Sequence, residues 1–488
     1  MFDTLPGMPG SSFFRDFFIF IPSSISWQWS DLCLPSRAFF KSYLSDMLLF
    51  QAKKTLNLAF PIILGEIAQM SLGIIDTAMV GAVSYKQLAA AALVMSVINI
   101  PYVFGIGITI SVSQMVSMAH GQNDKRLVSH YLYNGFWLCA ISAVIIAFSI
   151  EGGKDILFHL DQDPEVAQLA VPYLQIMGWS VIPMLLFLAL KQFTDGLEFT
   201  RTAMILSIGA IPLNVFLNWL FIYGNWGAPR LELVGAGWGT LITRIFIFVV
   251  LAAVILYHGT FSRYIAVRSR VWKLRWSTQK ELLRIGIPSS FQITMEAGAF
   301  AVSGILIGTI GAIAQAAHQI ALSIASLTFM VSMGLSQAGS IRTSNSFGRN
   351  DRPAISDIGK STLYMALIYG TFCAILFILL RHQLPFLFNN NESVTMLAAY
   401  LLLFAALFQI SDSTQAVSAG LLRGIKDVNI PTLIVGIAYW VVGIPAGCLL
   451  AFYFDMGASG IWTGFIVGLT FSSVFLTLRF KKMAMIPG

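Results

Sequence analysis

Four carboxylates stand inside long apolar stretches of this 488-residue chain: Glu66, Asp76, Glu296 and Asp412. A charge at mid-bilayer costs at least about 2.5–3.5 kcal/mol on insertion scales, so acids placed there mark an ion or substrate pathway more often than a packing contact. Glu66 fits either role. Each acid lies in a polar stripe. Gln292, Glu296 and Ser303 fall at i, i+4 and i+11 and share one helical face. Asp412 and Gln415 share a face with Phe408, and Gln69, Gly73 and Asp76 share another, with Glu66 beside it. Asn214 and Asn218 are one turn apart. Facing carboxylates and amides offer the oxygen ligands a hard cation such as Na⁺ needs. The same carboxylates can carry protons, and residue types alone leave both chemistries open. For the Asn pair, interhelical hydrogen bonding explains the spacing equally well. His318-Gln319 opens the apolar part of another stretch, where a lone His is more often a hydrogen-bonded core residue than a ligand. Arg244, inside an apolar stretch, needs an acid or carbonyl partner, and Asp76 is the candidate.

Twelve apolar runs position these residues: 56–83, 88–118, 128–150, 166–190, 203–223, 235–257, 282–308, 314–340, 358–380, 394–419, 430–453 and 457–478. Each is long enough to cross a bilayer of about 30 Å as a helix. Continuous runs of this length are not the ten-residue alternation of barrel strands. Composition agrees, since 57% of residues are hydrophobic and only 11% are charged. Soluble domains have about 25% charged residues, so a soluble chain of this length is excluded. The four cysteines show no metal or disulfide spacing.

Lys and Arg set the orientation. Assigned to loops, 22 of the 30 fall on the side shared by the even-numbered connections and the C-terminus, including Lys191, Arg342 and Arg423. Four lie opposite: Lys86, Lys154, Arg230 and Arg381. This positive-inside bias predicts cytoplasmic termini. The basic residues are spread over seven segments rather than one face, which gives nucleic-acid binding no support.

The two halves repeat. Pro61 and Pro288 are 227 apart, as are Gly81 and Gly308, while Gly196 and Gly424 are 228 apart. Gly235-Ala236 and Gly457-Ala458 open the last run of each half. The expected organisation is an N-terminal tail over 1–52, an N-lobe over 53–257, a basic cytoplasmic linker over 258–281, a C-lobe over 282–480 and a short cytoplasmic tail over 481–488. Two six-helix units in the same orientation are related by an axis along the membrane normal, and transporters place a pathway between such halves. Residues 1–46 fit neither a span nor a signal peptide; they read either as an interfacial segment or as a stretch upstream of the native start, for which Met47 is the candidate.

Several stretches, in order, resemble the multidrug and toxic compound extrusion (MATE) transporters, specifically the NorM-like branch. They are PIILGEIAQMSLGIIDTAMVG (61–81), FTDGLEFTRTAM (193–204), LNVFLNWLFIYG (213–224), QAAHQIAL (315–322) and QISDSTQAVSAGLLRGIKDVNIP (409–431). The resemblance implies an all-α polytopic protein of twelve spans, in two pseudo-symmetric six-helix lobes around a central cleft. It implies a bacterial inner-membrane monomer, in contact with lipid, that exports organic cations in exchange for Na⁺ or H⁺. No cofactor is expected beyond that ion. Asp76 matches the family's N-lobe acid, with Asn214 and Asn218 as polar neighbours. Glu296 and Asp412 match the acids of the C-lobe cation site, with Gln319 near it. Phe408 stands where a family member has a tyrosine, and Glu66 is an acid where a neutral residue is expected. Two rival readings are a lipid-linked glycan flippase and a polytopic membrane enzyme. The first calls for several Arg or Lys in the cleft, and only Arg244 lies within an expected span. The second lacks a DDxxD, HExxH or GxSxG motif.

Overall fold

The computed structural model describes residues 37–159, 163–265 and 273–485, with side chains from Met47 to Ala484. Residues 37–46 are helical; the reading of the tail otherwise falls on residues outside those described. From Met47 on, twelve helices are long and apolar enough to span a membrane. They are α1 (Met47–Gly81), α2 (Tyr85–Gly121), α3 (Lys125–Gly152), α4 (Pro164–Gly196), α5 (Thr200–Tyr223), α6 (Glu232–Tyr257), α7 (Trp276–Ile310), α8 (Ala312–Gly348), α9 (Arg352–Leu380), α10 (Glu392–Gly424), α11 (Asn429–Tyr453) and α12 (Ala458–Ala484). No strand occurs among the described residues. Lipid offers no partner to a bare N–H or C=O, which leaves helices as the way for single apolar runs to cross.

Several helices overrun their apolar runs at the basic end. α2 continues to Gly121 and α8 to Gly348, through Ser, Gln and Asn residues that are buried. These small polar residues sit where the halves meet, and there they find partners instead of water. Hence residues assigned to loops by hydropathy, among them Arg342 and Arg423, stand on helices.

The repeat is visible in the backbone. Asn123 and Asn350 take the left-handed conformation at φ 56° and 57°, and each is followed by an aspartate that caps the next helix. Asp124 accepts from the amides of Arg126 and Leu127, and Asp351 from that of Ala354. Such a cap satisfies amides that a helix start leaves free. Glu198 and Lys426 form a second matched pair, at φ 67° and 63°.

At the basic end the halves meet across these equivalents. A Cβ on Gly107 would lie 2.4 Å from Ser290 Cα, and one on Gly334 would lie 2.3 Å from Ile63 Cγ1. Gly121 abuts the Asn345 carbonyl and Gly348 the Met118 carbonyl. Contacts that come in such exchanged pairs are those of a two-fold axis between the lobes. Hydrogen bonds reinforce them: Gln114 Nε2 donates to Ser340 Oγ (2.7 Å), Ser117 Oγ to the Ile341 carbonyl (2.8 Å), and Arg342 Nη1 to the Gln51 carbonyl (2.8 Å). Among the described residues, the hydrogen bonds between lobes all belong to this end. Towards the other end no hydrogen bond joins the lobes among the described residues, and the cavities of the cleft hold the candidate residues.

Two helices are irregular where it matters. α4 breaks at Ser180, because Pro183 has no N–H to continue the ladder. α11 widens into i→i+5 turns over Ile437–Gly443, ahead of Pro445, and presents Tyr439.

Candidate cation and substrate site

A cavity of 640 Å³ lies along the C-lobe wall of the cleft. α7 supplies Gln292 and Glu296, α8 supplies His318 and Gln319, and α10 supplies Phe408, Asp412 and Gln415. The sequence stripes on three helices therefore converge on one space. Glu296 is half-buried and its Oε1 accepts from Tyr439 Oη (3.0 Å) and Gln415 Nε2 (3.3 Å). Asp412 is 2% exposed, and among the described residues nothing hydrogen-bonds its carboxylate. A buried, unpartnered carboxylate is costly, and the usual resolution is a bound cation or a proton.

His318 lines the same cavity. Neither of its ring nitrogens has a partner, and its ring meets Trp462 edge-on at 5.8 Å. It is thus not the hydrogen-bonded core histidine expected of a lone intramembrane His. Phe408 packs edge-on against Phe300 and Trp462 and offers no oxygen. The phenol at this site belongs instead to Tyr439. Sequence reasoning misses it, since a tyrosine in an apolar run is unremarkable; its place a few residues ahead of Pro445 is the available signal.

The N-lobe acid is bound differently. Asp76 Oδ1 accepts from Asn218 Nδ2 (2.6 Å), and Oδ2 accepts from Thr240 Oγ1 (2.7 Å). Asn218 also donates to Asn214 Oδ1 (3.2 Å). A Cβ on Gly239 would strike Asn218 Oδ1 at 2.4 Å, so α6 keeps glycine there to let α5 approach. Asp76, Asn214, Thr240 and Gln69 border a cavity of 170 Å³, and Asn218 is fully buried. Gln69 itself donates to Ser207 (3.3 Å). The expected pairing of Arg244 with Asp76 is not made. Arg244 Nη1 donates to Ser180 Oγ (2.6 Å) and Tyr102 Oη (3.1 Å), and the guanidinium lies 5.3 Å from the Tyr102 ring. The break in α4 exposes Ser180 to it, which no spacing in the sequence announces.

A third cavity, 150 Å³, lies on the cleft floor between the lobes. Lys191 is 3% exposed and pairs with Glu66 (3.0 Å) and Asp195 (3.4 Å), so it is a helix residue rather than a loop charge. Asp195 is a further acid buried on a helix, at 1% exposure, that hydropathy does not single out. From the C-lobe, Gln337 donates to Gln192 (3.0 Å) and more distantly to Asp195 (3.4 Å). Arg244 and Arg423 complete the basic lining. Three basic residues line the cleft, so the scarcity that weighs against a flippase in the sequence is not there. Among the described residues, no group of three or more His, Cys, Asp or Glu is placed to hold a metal ion.

Twelve spans in two symmetric lobes, with buried acids along a central cleft, define a secondary-transporter architecture. The MatE family model matches residues 61–220 and 288–449, once in each half and starting at the paired prolines. A probable multidrug resistance protein NorM from Bradyrhizobium diazoefficiens is 33% identical over 435 residues, covering 88% of this chain and 93% of that protein. The multidrug resistance protein MdtK of Edwardsiella ictaluri is 33% identical over 451 residues, covering 90% and 96%. Among solved structures, the eukaryotic MATE transporter AtDTX14 superposes with a TM-score of 0.82 at 21% identity, over 90% of this chain and 98% of that one. The chain belongs to the MATE family, in its NorM-like branch, and is a multi-pass membrane transporter rather than an enzyme.

Proposed function

We propose that this protein is a secondary active multidrug efflux antiporter in a bacterial inner membrane. It exports cationic amphiphilic drugs or metabolites in exchange for Na⁺ or H⁺. The observation that carries this reading is the pair Glu296 and Asp412 in the 640 Å³ cavity, the second of them buried without a hydrogen-bond partner. Kinship to proteins named for multidrug resistance supports the substrate class. With the basic end cytoplasmic, the protein is closed inward and open outward. Na⁺ or H⁺ arriving from outside neutralises Glu296, Asp412 or Asp76. An organic cation held by the same carboxylates then loses its counter-charge and leaves. The discharged lobes rock about the α2–α8 crossing, release the ion to the cytoplasm and accept a new substrate. Each charge moved inward gains about 2.3 kcal/mol per 100 mV of membrane potential. Phe300, Phe329, Met330 and Met333 also line the cavity, and adaptable apolar side chains accommodate varied cations. A single chain suffices, because both walls of the cleft come from one sequence.

The test is efflux of a fluorescent cationic dye from transporter-deficient bacteria under imposed Na⁺ or pH gradients. Asp76→Asn, Glu296→Gln and Asp412→Asn are compared with the wild type. Undiminished efflux in all three variants overturns the proposal. A response to an acid pulse but not to a Na⁺ pulse assigns H⁺ as the coupling ion, and the reverse assigns Na⁺.

A further inference from the structure

The cleft is polarised along its length. Its upper cavity carries Glu296 and Asp412, while its floor carries Lys191, Arg244 and Arg423. Among the described residues, Glu66 is the only carboxylate that lines the floor cavity. Glu66 is already engaged by Lys191, and Lys191 is further balanced by Asp195. Arg244 and Arg423 are therefore the two guanidiniums of the floor without an ion-pair partner, with Asp76 near the first and Glu296 near the second. Among the described residues, neither makes an ion pair with a carboxylate. Arg244 is held by two hydroxyls, and Arg423, 9% exposed, has a buried Nε with no partner. They come from opposite lobes, α6 and α10, and face the same cavity. Arg423 also lines the upper cavity, so it stands at the junction of the acidic and basic zones.

A guanidinium fork is a matched receptor for a carboxylate, and a desolvated one without a counter-ion is an incomplete site. We propose that Arg244 and Arg423 form a subsite for the anionic group of a zwitterionic amphiphile. Such a molecule lies along the cleft with its cationic end at Glu296 and Asp412 and its carboxylate on the floor. The placement of the cationic end rests on the function proposed above. The two ends assist each other: once a cation offsets the upper acids, Arg423 has no other carboxylate to face. Since the guanidiniums belong to different lobes, the carboxylate also bridges the lobes.

Rhodamine B and its ethyl ester test this, because both carry the same xanthylium cation and only the first carries a carboxylate. Binding of each dye to purified protein in lipid nanodiscs is read by fluorescence anisotropy. Loss of a charged hydrogen bond predicts that Arg423→Gln and Arg244→Gln each weaken rhodamine B by about tenfold. The ester should bind as well or more tightly, since a positive charge has left the neighbourhood of the acids. That unimpaired binding also shows the variants to be folded. Arg423→Lys should recover part of the rhodamine B affinity. Equal weakening of both dyes, or unchanged rhodamine B binding in both variants, overturns the proposal. Glu296→Gln separates the two readings. If it spares both dyes while the arginine variants still discriminate between them, the cation site is wrong and the anion subsite stands.

Discussion

Asp76 in the N-lobe accepts two short hydrogen bonds, whereas Asp412 in the C-lobe is more deeply buried and accepts none. Both stand on helices of one duplicated scaffold. The N-lobe closes around its acid because Gly239 lets α5 and α6 come together and because Thr240 and Asn218 present donors. The C-lobe leaves Asp412 facing a cavity of 640 Å³ and gives Glu296 its bonds from Tyr439 and Gln415. A duplicated fold thus holds an acid in each lobe that accepts two hydrogen bonds, Asp76 and Glu296, and one in the C-lobe, Asp412, that accepts none. In this conformation the acid without a hydrogen bond stands in the C-lobe, while the N-lobe acid is held by Asn218 and Thr240.

Four experiments put this contrast at risk. The largest effect is expected at the two C-lobe acids that line the 640 Å³ cavity. Asp412→Asn or Glu296→Gln should lower ion-driven dye exchange in proteoliposomes by about a thousandfold, the scale for deleting one partner of a buried charge interaction. Retained exchange would remove the C-lobe from its place in the contrast. Next comes Lys191→Met on the floor. It leaves Glu66 and Asp195 together without a cation and should destabilise the protein by about 3 kcal/mol. The thermal midpoint in detergent reads this, and adding Glu66→Gln and Asp195→Asn should recover most of the loss.

Smaller still is Gly107→Ala. The new methyl meets Ser290 and should shift the balance away from closure at the basic end by about tenfold, the scale of modest overpacking. Spin labels placed on α2 and α7 at that end measure the change, and an unaltered distance distribution would show that the crossing yields. The smallest effects form a matched pair, Thr240→Val and Tyr439→Phe, each removing one hydroxyl at about 1 kcal/mol. The first should lower the thermal midpoint and leave coupling-ion affinity alone. The second should change ion affinity by about fivefold. If Thr240→Val moves ion affinity as much as Tyr439→Phe, the two lobes are more alike than their hydrogen bonds imply.

Much of the C-lobe site is legible in the amino-acid sequence. Gln292, Glu296, His318, Gln319, Phe408, Asp412 and Gln415 all line one cavity. Polar groups are rare within apolar runs, so each one is conspicuous, and helical spacing puts them on shared faces. Hydropathy misplaces Lys191 and Arg423 for the converse reason. Near the end of an apolar run a base reads as a loop charge, and only a helix that continues beyond its lipid-facing part brings it inside. The partner of Arg244 is illegible because a break in α4 and the Tyr102 hydroxyl supply it, and both depend on how three helices meet.

The number of spans, their polarity bias, the duplication and most of the chemistry-bearing residues of the C-lobe follow from the order of residues alone. Those properties are local, set by hydrophobic length, charge position and periodicity along one chain. Which carboxylates are satisfied and which are open, where the lobes touch, and the placing of acids and bases at opposite ends of the cleft emerge only when the helices pack. Those depend on distances between helices far apart in sequence, and a difference of an ångström there separates a completed hydrogen bond from an open site.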